Sequence, residues 1–336
     1  MSKTLVIILS ETRTSELTFD NFKKNVIDEL NADLCVCIGI KPSYEYNNPF
    51  YQLAKYKFLY DEPEDFGDAF DYAFKTMSCD MPKYERLEHD TNSFHDDAWK
   101  KQVYGIKSGY DDLVMCPNII TYKKPLHWRE FLKVKDQFLG GIKDAHHEHP
   151  GSGGILIFFR WFLLKKLIDN DLMNKYDRFI ITRSDYVYQL PHPKMELMNE
   201  NHIWFPDCEH YGGYTDRHVV LSKNNIESYL NIFNNMVFRS NEYYIKMKNK
   251  TNWNIEQLIK FNLEQNHVLH LVKEFPYVMY TIRNINGSTR WSHGIFSNSL
   301  CYYIKYHTEY DKSTDYKNKF ESSTMSIDNF YKSLIY

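Results

Sequence analysis

Short apolar runs alternate along the chain with stretches whose apolar residues recur every three or four positions. That alternation predicts an α/β protein. Residues 4–10, TLVIILS, form a β-rich apolar run suited to a buried strand. In TFDNFKKNVIDEL, Phe19, Phe22, Val26 and Leu30 recur at helical spacing, with Thr18 as the expected N-cap. ADLCVCIGI (32–40) reads as a second buried strand. Strand, helix and strand with short links make a βαβ unit, whose strands pair in parallel through a right-handed crossover. YKFLY (56–60) is a further expected strand, and Phe66, Phe70, Ala73, Phe74 and Met77 mark the helix after it.

From about 80 to 125 the periodicity weakens, and an irregular insertion is expected there. GILIFFRWFLLKKLI (154–168) predicts a buried helix; Arg160 and two lysines break it as a bilayer span. Strands are expected at 178–184, at HIWFP (202–206), at RHVVLS, and in HVLHLVKEF and YVMYTIR. Ser222 is placed to cap a helix over KNNIESYLNIFNNM, and NIEQLIKFNLEQN predicts another from near Asn254. No repeat or low-complexity linker divides the chain. The pattern predicts one α/β domain over 1–336, a Rossmann-like, mixed, mostly parallel sheet flanked by helices.

Composition narrows the function classes. With 43% apolar and 25% charged residues, the chain is ordinary for a globular protein. A formal net charge of -3 argues against nucleic-acid binding through a general basic field. The opening apolar run, Leu5 to Leu9, is too short for a signal-peptide core or a membrane span. Six cysteines without a CxxC pair read as reduced thiols in a cytoplasmic compartment. Twenty-seven tyrosines fit either a sugar-stacking surface or AT-rich coding.

Candidate chemistry gathers at the strand ends. The loop Ser10–Ser15 follows the first strand at the carboxyl edge of the expected sheet, where open α/β sheets bind ligands. Ser10, Thr12 and Arg13 there suit a nucleotide or phosphate, or a solvated turn. GSGGILIFF is neither a Walker loop nor a dinucleotide fingerprint, and its glycines suit close packing. HHEH (146–149) has metal-type residues, but consecutive ligands rarely converge on one ion. In YDRFIITRSDYVY a strand delivers Asp185 at its end. It could ligate a divalent cation, with Arg183 reaching a phosphate, or the two could form a strand-end ion pair. TIRNINGSTRWSHG gathers Arg283, Arg290, Trp291 and His293, residue types that bind diphosphate oxygens or metals.

The βαβ start, YDRFIITRSDYVY, GGYTDRHVVLS and NIEQLIKFNL together resemble the GT-A class of nucleotide-sugar glycosyltransferases. The RSD segment is similar to the Arg-x-Asp of lipopolysaccharide-type (WavE-like) transferases and of related enzymes of large DNA viruses. The resemblance runs from residue 5 to about 290. It implies a GT-A-like fold with a nucleotide-binding half (1–125), a metal and acceptor half (150–300) and a C-terminal extension (301–336). It also implies a sugar transferred from a UDP- or GDP-sugar to a hydroxyl of a glycan or lipid-linked acceptor.

By the same resemblance, Mn²⁺ or Mg²⁺ would be held by Asp185 and His293. Ser10, Thr12, Arg13, Arg183, Arg283 and Arg290 would bind the donor. Gly212 and Gly213 would face the sugars, and Glu256 or Asp216 would serve as catalytic base. No nucleic-acid partner and no transmembrane segment are expected. A viral source would put the protein in the host cytoplasm or the virion. Two features depart from the family. Asp185 lacks the first acid of the usual Asp-x-Asp, and Asn-x-x-Arg-Gln is not found in GGILIFFRWF. A metal-dependent phosphoester hydrolase using Asp185, Asp207 and Asp216, and a non-catalytic glycan-binding or virion surface protein, are the rival classes.

Overall fold

The computed structural model describes residues 2–80, 126–135, 137–144, 146, 148–286 and 293–335. The insertion expected up to residue 125 therefore lies, from 81 onward, outside the described residues. The chain divides into two compact units. The first comprises Met1–Glu62, Leu163–Leu230 and Asn254–Tyr336; the second comprises Pro63–Phe162 and Asn231–Trp253.

In the first unit, β1 (Thr4–Ile8), α1 (Ser15–Phe22) and β2 (Asp33–Ile40) form the expected βαβ unit. α2 (Pro49–Leu53) and β3 (Tyr56–Asp61) follow. Strands β4 (Arg178–Thr182), β6 (Ile203–Pro206), β7 (Val219–Ser222) and β8 (Val272–Phe275) complete a sheet of order β3-β2-β1-β4-β7-β6-β8. β3, β2, β1 and β4 run parallel, β7 is antiparallel to both its neighbours, and β6 and β8 are parallel. The sheet is thus mixed and mostly parallel. β1, β4, β6 and β7 are buried at every position, which accounts for their unbroken apolar runs. Val6, Val36, Ile180, Val220 and Trp204 form the core with Phe22, Val26 and Phe50.

A second sheet, order β10-β11-β9-β5, is built from β5 (Tyr186–Tyr188), β9 (Met279–Arg283), β10 (Ile295–Ser297) and β11 (Tyr302–Ile304). β9 pairs antiparallel with β5, setting Tyr186 opposite Thr281. The strand expected at 178–184 therefore ends at Thr182, and Arg183–Asp185 is the turn that carries the chain from one sheet to the other.

Other local expectations change with tertiary context. Thr18 is not an N-cap: α1 begins at Ser15, and the buried Thr18 hydroxyl contacts the carbonyls of Thr14 (3.0 Å) and Ser184 (2.7 Å). The helix then continues as a π-helical turn, Lys23–Asp28. The long helix expected after Ser222 is two, Ile226–Leu230 and Ile232–Phe238, and the chain leaves the first unit between them. Ser222 instead ends β7 and accepts from the Asn224 amide at 3.3 Å.

The second unit is helical among its described residues. It includes Phe66–Asp80, most of Gly153–Asp169, and Ser240–Met247. Phe70 sits 5.0 Å from Trp128 and 4.6 Å from Phe233, and Asp71 accepts from the Trp128 indole at 2.8 Å. No described helix is long and apolar enough to cross a membrane.

Candidate functional site: a guanidinium cluster at the carboxyl edge of the parallel strands

Three segments meet where β1 and β4 end: the loop after β1, the Arg183–Asp185 turn, and the end of β9. Pairing explains the meeting. The Ile282 amide donates to the Asp185 carbonyl at 3.0 Å, which brings Arg283 beside the acid. The Ser184 hydroxyl donates to the Glu11 carbonyl at 2.8 Å, fixing the β1 loop to the same turn.

Asp185 is fully buried at 0% exposure, and both its oxygens are occupied. Arg183 donates from Nε to Oδ1 (2.8 Å) and from Nη2 to Oδ2 (2.7 Å), a forked pair. Arg283 donates from Nη1 to Oδ2 at 2.5 Å. Burial alone would raise the Asp185 carboxyl, but the two guanidiniums pull it well below the usual carboxylate range. The acid is not held out from its strand; it is enclosed by cations.

Arg283 is the unusual member. It is 1% exposed, its Nη1 also donates to the Ile282 carbonyl at 2.6 Å, and its Nε and Nη2 are buried without a partner. A buried donor left unpaired costs about 1–3 kcal/mol, more on a charged group. Arg283 lines an open pocket of about 260 Å³ with Glu11, Arg13, Thr14, Glu16, Asn284 and Asn286. Arg13 donates to Glu11 at 2.6 Å, and Asn284 donates to Glu16. The rim acids therefore have partners of their own.

More charges lie behind the pocket on the segment after β11. Lys305 is pushed down to about 7, first by burial and then by Arg283 and Arg183. Tyr306 stacks under the Arg217 guanidinium at 4.3 Å. Arg217 and Glu309 form a buried ion pair, and Glu309 also accepts from Tyr277 Oη and the Thr281 amide, both at 2.7 Å. Glu309 lies in the first turn of the helix His307–Glu321. Asp216 is half-buried, 3.9 Å from Arg217 Nε, and close enough to Arg183 to act on its charge.

The remaining candidates are placed as follows. Ser10 donates to the Glu11 carbonyl at 3.3 Å; Thr12 joins Tyr44 Oη (3.1 Å) and Asn48 beside a cluster of Tyr44, Tyr46 and Tyr51 rings. Gly212 and Gly213 sit on the start of the helix Ile255–Gln265. The Tyr214 amide donates to the Glu256 carbonyl at 3.1 Å, and a Cβ on Gly213 would meet that carbonyl oxygen at 1.9 Å. Close backbone packing thus requires glycine at 213, and Glu256 supports the loop through its main chain. His293 is exposed, its ring 5.5 Å from that of Tyr303. Arg290 and Trp291 lie outside the described residues. Asp207 accepts from the Tyr277 amide (2.9 Å), Tyr316 (2.6 Å) and Lys312 (3.0 Å). Among HHEH, His149 meets Asp144 at 3.1 Å.

A divalent cation does not fit Asp185 as it stands, because both carboxylate oxygens already accept from guanidiniums, whose charge would repel an ion there. Among the described residues, no group of three or more His, Cys, Asp or Glu side chains is placed to hold a metal.

Sequence reasoning brought Arg13, Arg183, Asp185 and Arg283 to one place. It missed Glu11, Lys305, Arg217 and Glu309. Arg217 stood inside a run taken as strand, which begins only at Val219. Lys305 and Glu309 lie more than a hundred residues from the turn they serve, in a segment without a motif. No protein-family model matches the chain, and no curated protein matches it. Among solved structures, that of mouse xyloside xylosyltransferase 1 in its apo form is similar over 81% of this chain and 84% of its own, at 7% identity and a TM-score of 0.34. So loose a likeness carries neither a residue correspondence nor a function.

Proposed function

We propose that the protein is a glycosyltransferase of GT-A type that takes a nucleotide-diphosphate sugar as donor. The observation that carries the reading is Arg283, a buried guanidinium with two unpartnered donors lining a pocket at the carboxyl edge of β1. Its position supports an oxyanion ligand, because guanidinium donors match phosphoryl oxygens. The motifs that resemble the GT-A class support the nucleotide-sugar assignment. The tyrosine cluster beside Thr12 supports a stacking surface for a ring next to that pocket.

Within this reading Arg283, Arg183 and Arg13 hold the diphosphate, and the charge that develops on the leaving group falls on preorganised donors. Asp216, close enough to Arg183 to act on its charge, or Glu256, in the first turn of the helix beneath the glycine loop, would take the acceptor proton. A thermal-shift series with UDP, GDP, CMP and TDP tests the reading. One nucleoside diphosphate should raise the melting temperature, and Arg13→Ala should reduce the shift. Absence of a shift with every nucleotide at millimolar concentration would remove the transferase reading.

A further inference from the structure

We propose that Asp185 is the counter-ion that fixes two guanidiniums, and that Arg283 binds a phosphoryl oxyanion without a divalent metal. The inference rests on the transferase reading only in taking a diphosphate as the ligand's biological form; the anion chemistry stands on the residues themselves.

Three observations converge. Both Asp185 oxygens are spent on arginines at 2.5–2.8 Å. Arg283 keeps Nε and Nη2 buried and unpaired while lining the pocket. The charges nearest the acid are in cationic excess: Arg183, Arg283 and Arg13 all act on Asp185. The depressed Lys305 ammonium, lowered by burial and then by the same arginines, registers that excess. Arg178 makes a useful contrast at the opposite end of β4. It too has Nε and Nη2 unpaired, but the charges acting on it are the acids Glu200 and Glu196. Burial is the first cause acting on both; Arg283 differs in that, besides the attraction of Asp185, it feels the like charges of Arg183 and Arg13. An oxyanion drawn in against Arg283 would offer these donors an acceptor and set a second negative charge beside Asp185 among the three arginines. Asp185 is in this view a positioning residue: it holds the forks in register and touches no ligand.

Calorimetry on the full chain tests this with inorganic pyrophosphate, UDP and GDP, each in EDTA and in Mn²⁺. Pyrophosphate should bind in EDTA with an affinity within about threefold of that in Mn²⁺, and Arg283→Gln should weaken it by roughly tenfold or more. Arg283→Lys, which keeps the charge and is the milder change for folding, should recover only part of the loss because the fork is gone. Asp185→Asn should lower the melting temperature of the free protein, and saturating pyrophosphate should restore part of it by replacing the lost counter-ion. Binding that disappears in EDTA would overturn the inference and leave the transferase reading standing. So would an Asp185→Asn protein of unchanged melting temperature that had lost Mn²⁺-dependent binding. Pyrophosphate binding in EDTA with no response to any nucleotide would keep the inference and remove the transferase reading. No binding of any of the three in either condition would remove both.

Discussion

His192 and His218 face each other through their Nε2 atoms at 3.3 Å, both fully enclosed beneath the end of β4. One proton order satisfies the set: His192 donates from Nδ1 to the Pro193 carbonyl (2.7 Å), His218 donates from Nε2 to His192, and Thr182 donates to His218 Nδ1 (2.9 Å). A second proton on either ring would set two N–H groups against each other or break a link.

Burial therefore lowers both rings, His192 from 6.5 to about 4 and His218 well below 6.5. A folded-state value below the unfolded one means that the unfolded chain binds more protons in that window. Stability should be full above pH 6.5 and fall as pH drops towards 4, by up to about 1.4 kcal/mol per unit for each ring. The Asp185 contribution is lost only lower, as pH falls below its ordinary value of 3.8. Urea unfolding across this range checks the slope. His192→Asn, which keeps a donor for Pro193, should flatten it, and a wild-type protein equally stable at both ends of the window would contradict the proton order.

The two glycines of the 210–216 loop should respond unequally to alanine. Gly213 has no room, since its added Cβ would lie 1.9 Å from a backbone oxygen of a packed helix. Gly212 meets only the flexible Gln257 side chain at 3.4 Å, but its φ of 83° is strained for alanine. Gly213→Ala should cost about 3 kcal/mol or more, and Gly212→Ala about 1–2 kcal/mol. Denaturant midpoints of the two variants give the order directly, and the reverse order would mean that the loop does not rest on Glu256.

Glu309 should be a large single contributor to the stability of the first unit. It is fully buried, and its three contacts join Arg217, Tyr277 and the β9 backbone at Thr281. Removing the charge while keeping the shape, by Glu309→Gln, leaves Arg217 buried with the longer contacts to Glu209 (3.4 Å) and Asp216 (3.9 Å). The expected cost is about 3–5 kcal/mol, against about 1 kcal/mol for Tyr277→Phe. Chemical denaturation distinguishes them. Equal small losses would show that water or Glu209 takes over as counter-ion.

Much of the sheet was legible because its strands are buried on both faces and so carry unbroken apolar runs, as in TLVII and RFIIT. The site was legible where it lies at the end of such a run, as Arg13 and Arg183 do. What local pattern does not contain is pairing between distant strands. Nothing near Asp185 announces that β9 will lie against β5 and deliver Arg283 to the same carboxylate. Thr18 is similar: capping chemistry explains a threonine before a helix, but this one serves the Ser184 carbonyl from inside the helix. Lys305 and Glu309 gain their partners only through the hairpin of β10 and β11 and the helix behind it.

Lys305 makes anion binding sensitive to pH near neutrality. Its ammonium is held at about 7 by burial and by Arg283, Arg183 and Arg217, against only partial compensation from Asp185. In the unfolded chain its value is 10.5, so between about 7 and 10.5 the unfolded state binds the extra proton and stability should rise with pH. An oxyanion at Arg283 opposes the same cationic field and should raise Lys305 towards its ordinary value. Binding should then take up close to one proton at about pH 8 and almost none at about pH 6, where Lys305 is already charged. Affinity for pyrophosphate should fall as pH rises through neutrality, until pyrophosphate itself completes its ionisation. Calorimetry in two buffers of different ionisation enthalpy reads the proton count, and Lys305→Met should abolish the uptake while leaving the Arg283 contacts in place. Unchanged uptake in that variant would assign the proton to another group, and no uptake in the wild type would show that the bound anion lies out of electrostatic reach of Lys305.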